Sequence, residues 1–101
     1  MPDRDWREQV DPFFRDMLPE FERNLLKDTA RLRDLLNAGH WEELGRLAHS
    51  YKGTAGYFDL TELSEVARAL ELCSKGGDGA GAAGEVARWQ VLVERLGIGR
   101  G

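Results

Sequence analysis

Apolar residues recur three and four positions apart along most of the chain and rarely alternate, a pattern that predicts helices and no strands. From Pro19 to Leu36 the residues Phe21, Leu25, Leu32 and Leu36 fall on one stripe at about 100° per residue. Glu22, Arg23, Lys27, Arg31 and Asp34 lie mostly off that stripe, and Gly39 supplies a helix stop. A second helix is expected from near His40, where Glu42 and Glu43 suit the positive end of a helix dipole. It runs through Trp41, Leu44, Leu47, Ala48, Tyr51 and Ala55 to Phe58. Asp59, followed three residues later by Glu62, has the spacing of a capping box. It predicts a third helix striped by Leu60, Leu63, Val66, Ala67, Leu70 and Cys73. Residues 74–84, SKGGDGAGAAG, hold five glycines and predict a flexible loop. Val86, Trp89, Val93 and Leu96 then mark a fourth helix, ended by the Gly97 to Gly101 tail. Upstream, Trp6, Val10, Phe13 and Met17 share a face, but Pro12 after Asp11 restarts the helix. The expectation is one all-α domain over residues 1–101. An antiparallel up-and-down four-helix bundle over 19–97 is capped at one end by a short, broken N-terminal helix over 1–18.

Size and composition narrow what such a bundle can do. A chain of 101 residues, 42% hydrophobic and 32% charged, builds one modest core and leaves few apolar residues over for a deep substrate pocket. One cysteine excludes an internal disulfide, and two histidines with one cysteine are a poor basis for a structural zinc site. Cys73, on the apolar stripe, reads as an inert buried thiol. The net charge of −4 and pI near 5.2 argue against a nucleic-acid binder, whose usual footprint is a basic surface. No apolar run approaches the roughly 18 residues that span a bilayer, and MPDRDWREQ does not have the form of a signal peptide. These features predict a cytoplasmic monomer that meets a protein partner or a small ligand and engages neither membrane nor nucleic acid.

The second helix carries the unusual chemistry. Its apolar stripe is centred about 150° from His49, so His49 is expected to face solvent. Within about 60° of His49 lie Gly45, Lys52, Gly53 and Gly56, with Glu42 and Arg46 one or two turns before it. Each glycine in a helix interior costs about 0.8–1 kcal/mol relative to alanine, so this face gives up about 3 kcal/mol of a total that is usually 5–15. What glycine offers in return is absence of a side chain, so that a partner's backbone or reactive group can approach the imidazole. An exposed imidazole can act as a nucleophile through its neutral nitrogen, and a lysine one turn on can neutralise an anion held at the ring. A phosphoryl group fits both, with Nε2, the nitrogen more remote from the backbone, as the expected point of attachment. A structural account of the same glycines, in which Gly45 or Gly53 marks a close helix crossing, conflicts with their position opposite the apolar stripe. His40, after Gly39, reads as a cap or solvated turn residue; Trp41, Tyr51, Phe58 and Trp89 sit at core spacing and read as packing.

The stretch LAHSYKGTAGYFDLTELSEVARALE, Leu47 to Glu71, resembles the histidine-containing phosphotransfer domain of multistep two-component signalling. The matching positions are His49, Lys52, Gly53, Thr54, Gly56, Phe58, Leu70 and Glu71, and a weaker similarity extends over most of the chain. Thr54, Tyr51 and Asp59 depart from the pattern where Ser, Leu and Gly are common. The resemblance implies a four-helix bundle with His49 as phosphoacceptor and Lys52 steadying the phosphoryl group. It further implies a docking face of Gly45, Gly53, Gly56, Arg46 and Glu42 for the receiver domain of a hybrid histidine kinase or of a response regulator. No cofactor of the chain's own is implied, Mg²⁺ being brought by the receiver. The expected function is therefore transfer of phosphoryl groups between receiver aspartates, without enzymatic activity: there is no GxxxxGK[ST] loop and no room for an ATP-binding domain.

Two other readings compete. A helical adaptor that binds a receiver or kinase without carrying phosphate would lack the histidine or carry a bulky residue on its face, and this sequence does neither. A module of a larger kinase would share every motif above, although Met1 at the start and a tail ending at Gly101 are expected of a free-standing protein.

Overall fold

The computed structural model describes residues 5–99 and is all helical over them. A 3₁₀ helix, Trp6–Gln9, precedes α1 (Pro12–Arg15), α2 (Leu18–Ala38), α3 (Trp41–Tyr57), α4 (Thr61–Lys75) and α5 (Gly79–Arg95). Helix α3 packs on α2 and α4, and α5 on α2 and α4, so the four long helices close a ring around one core. Leu25, Leu32, Leu44, Ala48, Leu63, Leu70 and Trp89 lie inside it, each 0–1% exposed. No described helix is long and apolar enough to cross a membrane.

The four long helices all end on the same hydrogen-bond pattern. After α2, Gly39 N–H reaches the Leu36 carbonyl at 3.1 Å and His40 N–H the Leu35 carbonyl at 3.0 Å, a Schellman pair around a left-handed residue at φ 70°. The pair recurs around Gly77 and Gly97, and around Asp59 at φ 57°. Asp59 thus ends α3, and Leu60 occupies the N-cap of α4 without a side-chain hydrogen bond. This corrects the expected capping box: through its backbone Asp59 ends the helix behind it, where Asp tolerates the left-handed region better than most residues. Leu60 and Ile98, the residues after the left-handed ones, are buried and tuck each turn onto the core.

Two other expectations change. Residues 74–84 are not a loop. Helix α4 runs to Lys75 and α5 starts at Gly79, capped by the Asp78 carboxylate, which accepts from Gly81 N–H at 2.9 Å. The glycine content reflects close approach, since a Cβ on Gly79 would sit 3.4 Å from the Trp41 ring and one on Gly81 would collide with Asp78 and Cys73. At the other end, residues 1–4 of the expected 1–18 helix and residues 100–101 of the tail lie outside the described residues. Residues 5–17 make two short turns, as Pro12 requires, and the break shifts the helical phase. Val10 is buried, but Phe13 is 77% exposed and Met17 is exposed too. Phe14 instead packs near Tyr57 and Phe58. The segment is tied down by Trp6 Nε1–H to the Leu96 carbonyl at 2.8 Å and by an Arg7 fork on Glu22.

Inside the ring, polar groups on aromatic side chains are matched. Tyr51 donates to Asp28 Oδ2 at 2.6 Å, and Trp89 Nε1–H to Thr29 Oγ1 at 3.0 Å, joining α3 and α5 to α2. The two rings meet edge to face at 5.2 Å. Burial and the Asp28 carboxylate push the Tyr51 phenol far above its ordinary range, so it stays a donor. These contacts place Tyr51, Phe58 and Trp89 in the core as packing residues, and fix the rotation of α3 about its axis.

Candidate functional site

That rotation turns His49 outward in the middle of α3, its side chain 61% exposed. Its Nδ1 is 2.8 Å from Oε2 of Glu71, which reaches across from α4 with a side chain only 10% exposed. The other oxygen of Glu71, Oε1, accepts from Lys52 Nζ at 3.2 Å, and Lys75 Nζ stands 3.6 Å from Oε2. Burial pushes the Glu71 carboxyl up, but the hydrogen bonds and charges of Lys52 and His49 outweigh burial and hold it below the ordinary range. Glu71 is therefore ionised at neutral pH and can only accept. The hydrogen on a neutral His49 ring must then sit on Nδ1, which leaves the lone pair on Nε2, the nitrogen turned away from Glu71.

The neighbouring glycines divide. A Cβ on Gly53 or Gly56 would meet nothing within 4 Å, so the flank of α3 that follows His49 is open. Gly45 is buried, and a Cβ there would come to 3.2 Å from Ser74 Cβ on α4. This corrects the expected grouping: Gly45 marks a close helix crossing, because α4 covers a wider arc of α3 than the apolar stripe alone indicates. Ser74, itself buried, settles its hydroxyl on the Leu70 carbonyl at 2.8 Å. Farther along the same seam the Ser64 hydroxyl donates to the Lys52 carbonyl at 2.6 Å, bracing α4 on α3 beside the site.

Arg46 and Glu42 pair with each other at 2.8 Å on the exposed face and form no hydrogen bond or ion pair with His49 or Glu71. They rim an open groove of about 660 Å³, lined also by Trp41, His49, Ser74 and Lys75. His40 stands at the N-cap of α3 with no capping hydrogen bond, its ring 3.9 Å from Glu43. Cys73 is partly buried against the core, and burial, with Asp78 and Glu85, pushes its thiol up, away from reactivity. Among the described residues no group of three or more His, Cys, Asp or Glu side chains is placed to hold a metal ion.

The structure brings His49 and Lys52 onto one carboxylate, that of Glu71, which the reading of the sequence gave no role beyond filling a pattern; Lys75 was omitted there. The signal for Glu71 was the charge itself: it follows Leu70 on the inward side of a helix whose neighbours there are Ala67 and Ser74. A buried carboxylate at such a place needs partners.

The exposed histidine, its carboxylate and Lys52 all fall within the part of the chain, residues 16–98, that the Hpt domain family model matches. No curated protein and no solved structure matches the chain.

Proposed function

The chain belongs to the Hpt domain family, phosphocarriers of phosphorelays that interact with receiver domains, and from that premise we propose that His49 accepts a phosphoryl group from a receiver aspartate and hands it to another. The Nε2 lone pair attacks the phosphorus of the partner's aspartyl phosphate. As the N–P bond forms, the P–O bond breaks and its electron pair leaves with the aspartate carboxylate. The proton on Nδ1 stays between the ring and Glu71, whose negative charge offsets the positive charge the ring acquires. Lys52 meets the incoming phosphoryl oxygens, and the partner supplies Mg²⁺ for a loose, in-line transition state. Delivery is the same step reversed. Gly53 and Gly56 leave room for the partner's backbone, and the weak Arg46–Glu42 pair lies within a small, transient footprint. The fold that goes with this reading is an up-and-down antiparallel bundle of α2 to α5, which the short connections Gly39–His40, Phe58–Leu60 and Gly76–Asp78 favour.

One observation carries the reading: the 2.8 Å contact from His49 Nδ1 to a buried carboxylate, which selects the outer nitrogen of an exposed ring as nucleophile. Incubation with a panel of phosphorylated receivers is expected to give an acid-labile, base-stable adduct on His49. His49→Gln should keep its helicity and take up no label; label retained in that variant refutes the site. Phosphorus-coupled NMR that places phosphate on Nδ1 refutes the role given to Glu71.

A further inference from the structure

The charges around His49 do not balance. One carboxylate, Glu71, is met by two ammonium groups, Lys52 from α3 and Lys75 from α4, beside a ring that is neutral when it attacks. The nearby Arg46–Glu42 pair is internally neutral and adds nothing to the count. A buried carboxylate needs one counter-charge, and Lys52, with a side chain 39% exposed and a hydrogen bond at 3.2 Å, already supplies it. Lys75 is longer, at 3.6 Å, and 71% exposed, so its ammonium can leave Glu71 with little change in solvation.

The two lysines also stand on different sides of the ring. Lys52 is one turn after His49 on α3. Lys75 follows Ser74, which faces Gly45, one turn before His49. Lys75 lines the same groove as His49, and Lys52 does not. The two ammonium groups therefore flank His49 toward opposite ends of α3.

We propose that Lys75 is a second cation of the phosphoryl site, paired with Glu71 in the free protein and moving onto the phosphoryl oxygens once His49 is phosphorylated. This rests on the reading of His49 as phosphoacceptor. A phosphoryl dianion brings two negative charges to a site that already holds one carboxylate. The ring, with its proton kept on Nδ1, carries one positive charge once phosphorylated, so with Lys52 alone the sum there is −1; with Lys75 it is zero. The plainer role of Lys75, an i,i+4 partner of Glu71 in the last turn of α4, involves no contact with phosphate and adds only a small stabilisation to the helix.

The test uses phosphoramidate, a small donor that needs no partner protein, and follows the ³¹P shift of phosphohistidine against pH in the full chain, in Lys75→Gln and in Lys75→Arg. Contact with a second ammonium lowers the midpoint of the last phosphoryl ionisation. Lys75→Gln is therefore expected to raise that midpoint by about half to one pH unit, the size of one charge a few ångströms away near water. Lys75→Arg restores it. Equal midpoints in Lys75→Gln and the unaltered chain, with equal Tm, overturn the role of Lys75 and leave His49 as acceptor untouched. Absence of any phosphohistidine in the unaltered chain overturns both.

Discussion

Gly45 and Gly53 stand two turns apart on α3, one before and one after His49, and are glycine for opposite reasons. A Cβ on Gly45 presses on Ser74, so the residue is small because α4 is close; a Cβ on Gly53 meets nothing, so nothing in the fold asks for glycine there. One half of the helix is shaped by packing and the other is left clear beyond what packing needs. The difference teaches that helix glycines near a reactive group are not evidence of access until their own surroundings are known.

Four substitutions press on this contrast. The largest effect is expected from Gly53→Arg, which should slow transfer from a phosphorylated receiver by about fivefold to a hundredfold, the cost of a clash of about 1–3 kcal/mol in a small interface. Labelling by phosphoramidate and Tm should both stay unchanged. Equal loss with both donors would show that the open flank serves the chemistry and not the partner. Next, Gly45→Leu should destabilise the fold by about 1–3 kcal/mol through overpacking against Ser74, read as a drop in Tm, since about 4–8 °C accompany each kcal/mol in a domain of this size. A Tm equal to that of the unaltered chain would place Gly45 on the open face after all. Gly53→Ala should stabilise by about 0.5–1 kcal/mol, whereas in Gly45→Ala the same gain in helix propensity is offset by the 3.2 Å contact. A larger gain at position 45 than at 53 would invert the comparison.

The smallest effect is a pH dependence in the seam itself. Glu71 is held below its ordinary value of 4.5 in the folded chain, so its contribution to stability is fully present above that pH and is lost as pH falls through the lower, folded value. The difference in urea midpoint between the unaltered chain and Glu71→Gln should therefore shrink on acidification below about 4.5. A difference that widens there would mean that the carboxyl is raised, not lowered, by its surroundings.

Much of the fold was legible in the sequence because it depends on period and on stops. Leu25, Leu32, Leu44, Leu63, Leu70 and Trp89 repeat at helical spacing, and Gly39 ends α2 where its freedom at positive φ predicts. What was not legible depends on contacts between helices. Residues 74–84 have the composition of a linker, yet a single Asp78 cap and the near approach of Trp41 and Cys73 turn most of their glycines into helix. The phase of Phe13 and Met17 was lost across Pro12, because periodicity carries no information through a break. At the site, the exposure of His49 followed from its angle on one helix. Its alignment with Glu71 and Lys75 lies between two helices, 22 and 26 positions apart in the chain, and needs the register of α3 on α4.

On the proposed reading of His49 as acceptor, the contact that holds its ring also sets the traffic through it. On that reading, with Nδ1 occupied by Glu71, a donor and a recipient share one nitrogen and one open flank, so the two are not seated together. With His49 as the acceptor, the carrier works as a ping-pong intermediate: one receiver must leave before the next can arrive. Throughput is then governed by how fast a partner departs, and a mutation that tightens docking would throttle the relay rather than speed it.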